Sequence, residues 1–185
     1  MKKQISIHIG EYHASDKPEV IRTVLGSCVA VCFFDPVNRI GGMNHILLPG
    51  KADLTRFNSA ACYGINAMEL LINRIMNLGG ERSRLVAKVF GGAHIISSIS
   101  RENGVGRKNS EFALEFLKKE AIRIVSRDLG GTDSRKIFFH TNTGDVFLKR
   151  IPTMLQTRVS QEEKKKFKLA QKAAHKPGEV TLFDN

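Results

Sequence analysis

A cysteine that follows a tight Gly-Ser corner is the residue of this chain best suited to nucleophilic chemistry. Gly26 and Ser27 come directly after the apolar segment 20–25, and Cys28 opens the next apolar segment. A corner of this kind can leave a thiol at the edge of a sheet with nearby backbone N–H groups directed inward, where they could hold an oxyanion. We therefore expect Gly26 and Ser27 to supply backbone support and Cys28 to supply the attacking sulfur.

A thiol attacks only as the thiolate, so it needs a base, and His45 is the candidate. We take residues 35–38 as a four-residue hairpin loop, which places Phe34 opposite Arg39. Continuing that register places Cys28 directly opposite His45. Directly opposed residues share a face of the sheet with Cβ atoms about 4.5–5.5 Å apart, close enough for a nucleophile–base pair. The pairing depends on register, because a shift of one residue would move His45 to the opposite face.

A purely structural role for the same cysteine stays open at this point. A buried free cysteine in an apolar strand is common and usually inert. Cys32 lies four strand residues beyond Cys28, about 13 Å away, which is too far for a disulfide or a shared zinc ion. Cys62 stands near a helix start. We expect Cys32 and Cys62 to be packing residues, and we predict no metal site.

The elements that must position these residues follow from hydrophobic periodicity and turn residues. Segment 28–34 is apolar on both faces, which is typical of a strand between two packed layers. It should form a hairpin with segment 40–48. The predicted elements are strands 5–9, 20–25, 28–34, 40–48, 85–90, 122–125, 137–142 and 145–151, with the last two as a second hairpin, and helices 60–78, 109 or 110 to 120, and 161–174.

This mixture predicts an α+β fold in which helices flank an antiparallel β-sandwich or sheet. We expect residues 1–151 to form one domain and residues 152–185 to form a basic, partly helical C-terminal extension. The chain carries 29 basic and 18 acidic residues, a net charge of +11, and residues 161–176 hold six lysines and two glutamates. Such a lysine run is typical of a solvated helix face, and its few aromatic residues disfavour binding of single-stranded nucleic acid.

Composition excludes several classes of protein. A chain of 185 residues with 42% hydrophobic and 25% charged residues is typical of a globular protein that buries a core without disulfides. A spanning helix would need a run of about 18 apolar residues, and none occurs, so we predict no membrane insertion. The first residues lack the apolar region of a signal peptide, which favours the cytoplasm.

Several motifs, taken together, carry a resemblance to a known family. They are residues 23–31 (TVLGSCVAV), 35–36 (DP), 41–45 (GGMNH), 48–49 (LP), 88–93 (KVFGGA), 128–131 (DLGG) with Arg135, 143–146 (TGDV) and 149–150 (KR). In this combination the chain resembles the CheD family of chemoreceptor glutamine deamidases, over residues 1–151. It departs from the family's Gly-x-Arg-Asn segment, where it has Gly106-Arg107-Lys108-Asn109.

The resemblance implies a fold similar to that of glutamine-deamidating bacterial toxins. It implies that Cys28 is the nucleophile, that His45 is the general base and that Thr23 orients or polarises His45. The implied reaction hydrolyses glutamine side chains to glutamate and ammonia through a cysteine thioester, without a metal or cofactor. The implied substrates are cytoplasmic helices of methyl-accepting chemotaxis receptors, and family members also bind CheC-type phosphatases.

Two other functions remain alternatives. One is a non-catalytic adaptor that binds chemoreceptors or a CheC-type phosphatase with an idle site. The other is a nucleic-acid or membrane-surface binder driven by the lysine-rich tail. The presence of both Cys28 and His45 favours the enzyme over the adaptor.

Overall fold

Nine strands and three α-helices make up the part of the chain that the computed structural model describes, namely residues 2–48, 50–56, 58–95, 104–151 and 156–174. The strands are β1 (Lys3–Ser6), β2 (Tyr12–Ser15), β3 (Glu19–Leu25), β4 (Val29–Asp35), β5 (Ile40–Asn44), β6 (Val86–Gly91), β7 (Arg123–Leu129), β8 (Ser134–His140) and β9 (Val146–Ile151). The helices are α1 (Ser59–Asn77), α2 (Val105–Lys119) and α3 (Gln156–Ala174). None of these helices has the length and apolar character that crossing a membrane requires.

The strands form two sheets, which confirms the α+β prediction. One sheet has the order β1-β3-β8-β9 and the other the order β2-β5-β4-β6-β7. Most neighbouring strands are antiparallel, but two pairs differ from that expectation, because β1 runs parallel to β3 and β6 runs parallel to β7. The second parallel pair has a clear cause: α2 connects β6 to β7, and a helical crossover returns the chain in the same direction.

Strand β4 lies between two apolar layers, as its two-sided pattern predicts. Cys28, Ala30 and Cys32 belong to the cluster between the two sheets, together with Ile21 and Phe139 from the four-stranded sheet. The alternate residues of β4 belong to a second cluster, which also contains the buried faces of α1 and α2; these β4 residues are Val29, Val31 and Phe33. The two helices therefore cover the outer face of the five-stranded sheet.

The chain passes from one sheet to the other at the Gly-Ser corner. Strand β3 belongs to the four-stranded sheet and β4 to the five-stranded sheet. Residues 26–28 connect the two strands, so the corner lies where the layers meet. His45 directly follows β5, the neighbour of β4, and is therefore brought towards the same region.

The predicted hairpin of β4 and β5 forms, but its predicted register is wrong by two residues. Asp35 stays in the strand and pairs with Ile40, so the loop spans residues 36–39. The buried Asp35 carboxylate accepts hydrogen bonds from the first backbone N–H groups of the loop and pairs with Arg84. Val29 consequently pairs with Ile46, which places Leu47, and not His45, opposite Cys28. Because the shift is even, His45 keeps the face on which Cys28 lies.

Other elements differ from prediction mainly at their ends. Helix α2 begins at Val105 because Gly106 lets its first turn approach the end of β6 closely; a Cβ there would collide with the carbonyl oxygen of Gly92. Strand β1 ends earlier than predicted, and the sequence pattern does not predict β2. Helix α3 begins at residue 156, before the predicted 161. The division at residue 151 stays a prediction.

Candidate active site

The Gly-Ser-Cys corner is held in place through its three carbonyl groups. The Gly26 oxygen accepts a hydrogen bond from the Ala93 N–H at 2.8 Å, and the Cys28 oxygen accepts one from the Gly92 N–H at 2.7 Å. The Ser27 oxygen accepts one from the side-chain amide of Asn109 at 2.9 Å. With the carbonyls held in this way, the backbone N–H groups of the corner are free to face a ligand.

Those N–H groups converge on one carboxylate, that of Glu163 in α3. Oε1 of Glu163 accepts hydrogen bonds from Gly26 N at 2.9 Å and from Cys28 N at 3.3 Å. Oε2 accepts them from Ser27 N at 2.9 Å and from Ser27 Oγ at 2.5 Å. Residues 26–28 thus form an anion-binding cradle, and we use that name for them below. Gly26 permits the close approach, since a Cβ there would lie 2.9 Å from Oε1 of Glu163.

His45 is buried and held by Thr23. Its Nδ1 lies 2.8 Å from Thr23 Oγ1, and the same hydroxyl donates to the carbonyl oxygen of Ile7 at 2.8 Å. A hydroxyl has one proton, so Thr23 must accept the hydrogen bond from Nδ1–H of His45. In the neutral ring, Nε2 then carries the lone pair. This atom is buried and has no hydrogen-bond partner among the described residues.

The electrostatics of the site favour uncharged groups. Burial, and secondly the nearby His8, lower the pKa of His45 to about 3, so the imidazole is neutral near pH 7. Burial, and secondly the carboxylate of Glu163, raise the pKa of the Cys28 thiol well above its ordinary value. The resting state is therefore a thiol at Cys28 and a neutral imidazole at His45.

The predicted site residues lie together at one place in the fold. Cys28 and His45 share a face of the five-stranded sheet at diagonal positions, and such neighbours are within reach of long or aromatic side chains. Thr23 contacts His45 from the neighbouring sheet. Cys32 is buried in the core between the sheets, as expected, whereas Cys62 is exposed on α1, so the expectation that it is a packing residue is wrong.

The second glycine segment has a supporting role. Residues 91–94 begin at the last residue of β6 and have the glycines typical of an anion site, but Gly92 and Ala93 use their N–H groups to hold the corner. The N–H of His94 donates to the carbonyl oxygen of Gly131, which ties the segment to the turn after β7. These residues thus fix the geometry of the cradle through its carbonyl groups.

The sequence analysis does not predict two residues that the structure places at the site. Asn109 is 1% exposed, and its side chain bridges the Leu48 N–H and the Ser27 carbonyl oxygen. An amide suits this place because it offers a donor and an acceptor. The other residue is Glu163, which lies 135 residues from Cys28 in the chain. The lysine-rich composition around Glu163 predicts exposure, so only the fold reveals its contact with the corner.

An open cleft of about 750 Å³ leads to the His45 ring. It runs between the N-terminal segment and α3. Its lining includes Thr23, His45 and Glu163, and basic side chains at its edges, namely Arg22, Lys136, Lys165 and Lys166. Among the described residues, His45 and Thr23 line the cleft, whereas Cys28 does not.

Comparison with known proteins gives a consistent result. The family described as CheD chemotactic sensory transduction matches residues 47–150. A Shewanella oneidensis protein named "Probable chemoreceptor glutamine deamidase CheD 1" is 41% identical over 185 residues, covering 98% of this chain and 88% of its own length. A Vibrio vulnificus protein named "Probable chemoreceptor glutamine deamidase CheD" is 40% identical over 187 residues, covering 97% of this chain and 86% of its own. An Agrobacterium fabrum protein of the same name is 48% identical over 143 residues, 77% of each chain. This chain therefore belongs to the CheD family.

Proposed function

We propose that this chain is a protein-glutamine deamidase that acts on methyl-accepting chemotaxis receptors. The observation that carries the proposal is that Cys28 belongs to an anion-binding cradle and shares a sheet face with the neutral imidazole of His45. The names of the relatives, each a probable chemoreceptor glutamine deamidase, support the choice of substrate. The receptor helices lie in the cytoplasm, so we propose that the reaction takes place there.

The first half of the reaction forms a thioester. Nε2 of His45 takes the proton from Cys28, and the sulfur attacks the Cδ carbon of the substrate glutamine. The carbonyl oxygen becomes an oxyanion, which the N–H groups of the cradle stabilise; one such donor typically contributes about 100- to 1,000-fold in rate. The His45 imidazolium then gives its proton to the departing nitrogen, and ammonia leaves.

The second half hydrolyses the thioester. His45 takes a proton from a water molecule, whose oxygen attacks the same carbon, and the cradle again stabilises the oxyanion. The carbon–sulfur bond breaks, the thiol regains its proton and glutamate leaves. Thr23 acts as a positioning residue throughout, because its hydroxyl keeps the proton of the neutral ring on Nδ1 and the lone pair on Nε2.

Binding to a CheC-type phosphatase forms a second part of the proposal. A partner that occupies the active-site face would compete with the receptor for the same cleft. Addition of such a phosphatase should then lower the rate of receptor deamidation without changing the thiol itself.

Mass spectrometry of a receptor cytoplasmic fragment incubated with the full chain tests the proposal. Deamidation replaces an amide nitrogen by oxygen, and fragment ions identify the glutamine that has changed. We expect conversion by the unchanged chain and by Cys62→Ala, a matched substitution at an exposed cysteine, and none by Cys28→Ala. Binding of the fragment without any conversion would contradict the proposal and favour the adaptor.

A further inference from the structure

Glu163 is a buried carboxylate on an otherwise solvated helical segment. It is 3% exposed, whereas its neighbours Glu162 and Lys164 are exposed. A buried carboxylate is costly unless it is charge-paired or fully hydrogen-bonded. In the described part of the chain no cation lies within ion-pair distance of it, and its partners are the cradle N–H groups and the Ser27 hydroxyl. The cradle therefore accounts for the burial of this side chain.

Helix α3 is seated over the corner by a second contact on the same face. Phe167 lies four residues after Glu163, and residues at this spacing lie one above the other on a helix. Phe167 packs against the cluster between the sheets, while Leu169, off that face, is 53% exposed. One acidic and one aromatic side chain thus hold α3 against the corner, and α3 also contacts α1.

The group held in the cradle is chemically the product of the proposed reaction. Deamidation of a glutamine leaves a glutamate side chain, and Glu163 presents such a side chain next to Cys28. Its Oε1 lies between the N–H groups of Gly26 and Cys28, where the oxyanion would form. Its Oε2 lies against Ser27 Oγ, a hydroxyl that can also accept a hydrogen bond from the amide of a glutamine.

We propose that α3 is an internal product analogue, which occupies the active site through Glu163 and must leave before a receptor helix can enter. This inference rests on the proposed function for the identity of the competing ligand. On this inference, the surface that α3 covers binds helices in which an apolar residue follows the glutamine by four positions. A carboxylate beside Cys28 also disfavours the thiolate, so the covered site is held inactive in two ways.

A glutamine placed at position 163 should become a substrate of its own chain. We would express Glu163→Gln and measure the mass of the peptide that contains residue 163 after purification. We expect conversion to glutamate when Cys28 is present and none in the double variant with Cys28→Ala. Glu162→Gln, on the same helix but exposed, is the matched control and should keep its glutamine.

Alkylation of Cys28 provides a measurement that does not need any deamidase activity. We expect iodoacetamide to label Cys28 at least several-fold faster in Glu163→Ala than in the unchanged chain, and at an unchanged rate in Glu162→Ala. Equal labelling with and without Glu163 would overturn the proposal. The proposal would also be overturned if the Glu163→Gln chain deamidated the receptor fragment but left its own glutamine at position 163 unconverted. If neither glutamine is converted, the proposed function fails, and the labelling rates still decide whether α3 covers the thiol.

Discussion

At the scale of single residues, the ability of His45 to act as a base depends on the orientation of its ring. It depends much less on the number of residues between His45 and Cys28 in the chain. The sequence predicts the thiol of Cys28 and the imidazole of His45 from their types and spacing, and it predicts Thr23 from the resemblance to the family. It does not reveal that the Thr23 hydroxyl donates its one proton to the Ile7 carbonyl and so must accept from His45. That information lies in a contact between two sheets, which no spacing within the chain encodes.

Removing the Thr23 hydroxyl should lower the catalytic rate while leaving substrate binding nearly unchanged. Thr23→Val keeps the shape but leaves Nδ1–H of His45 without its acceptor. A buried unpaired group costs about 1–3 kcal/mol, so we expect kcat to fall roughly 10- to 100-fold with little change in KM. Kinetics on the receptor fragment measure this effect.

Thr23→Ser supplies the control, because it restores a hydroxyl and should recover most of the rate. Nitrogen-15 NMR of the imidazole distinguishes positioning from packing. The unchanged chain and Thr23→Ser should carry the proton on Nδ1, whereas Thr23→Val should show a mixture. A single Nδ1–H form in Thr23→Val would contradict the positioning role.

At the scale of elements, hydrophobic pattern predicted β4 and its layers, but not the register of its hairpin. The Asp-Pro turn signal indicates where the chain reverses. Whether Asp35 belongs to the loop or to the strand depends on its buried pairing with Arg84, a residue 49 positions away. Local sequence also does not determine where helix α2 begins. Its glycines favour a loop, yet tight packing against β6 makes Gly106 part of the first turn. Tertiary contacts therefore decide both cases.

Asn109 joins α2 to the corner, so its removal should affect both stability and rate. Asn109→Ala leaves the Leu48 N–H and the Ser27 carbonyl buried without partners. We expect the free energy of unfolding to fall by about 2–6 kcal/mol, because each of the two unsatisfied groups costs about 1–3 kcal/mol. Urea unfolding measures this loss.

The rate measurement separates support of the cradle from general stability. We expect kcat of Asn109→Ala to fall at a temperature where the variant is fully folded, since Ser27 loses its anchor. Asn77→Ala replaces an exposed asparagine at the end of α1 and should change neither quantity. A folded Asn109→Ala with an unaltered kcat would show that the corner keeps its shape without this anchor.

At the scale of the whole molecule, the docking of α3 is the feature that the sequence predicts least well. Its lysines predict a solvated helix, and most of its described surface is indeed exposed. The contact that seats it depends on backbone N–H groups more than 130 residues earlier, and hydrophobic periodicity contains no signal for such groups. The net positive charge suits transient docking on an acidic receptor surface, although charge alone could not identify the partner.

The buried neutral His45 should make the global stability depend on pH. Its pKa is about 3 in the folded chain and about 6.5 in an unfolded one, so below about pH 6.5 the unfolded state binds a proton that the folded state does not. The stability that this difference contributes is present above the unfolded pKa. It is lost as the pH falls towards the folded pKa.

Urea unfolding at about pH 7 and about pH 4.5 tests this dependence. We expect the free energy of unfolding to fall more for the unchanged chain than for His45→Gln, which cannot bind the proton. Other titrating groups are common to both chains and cancel in the comparison. Equal losses in the two chains would mean that His45 is protonated in the folded state.

The donors of the cradle belong to the peptide backbone, so they remain present when a side chain of the site is replaced. No side-chain replacement at residues 26–28 deletes an N–H group, except by proline. Under the proposed mechanism, a chain that lost Cys28 could no longer form the thioester but would keep the N–H groups that bind a carboxylate. Under the proposed mechanism, catalysis and ligand recognition are thus separable by a single substitution, and the chain without Cys28 would bind receptor helices without modifying them.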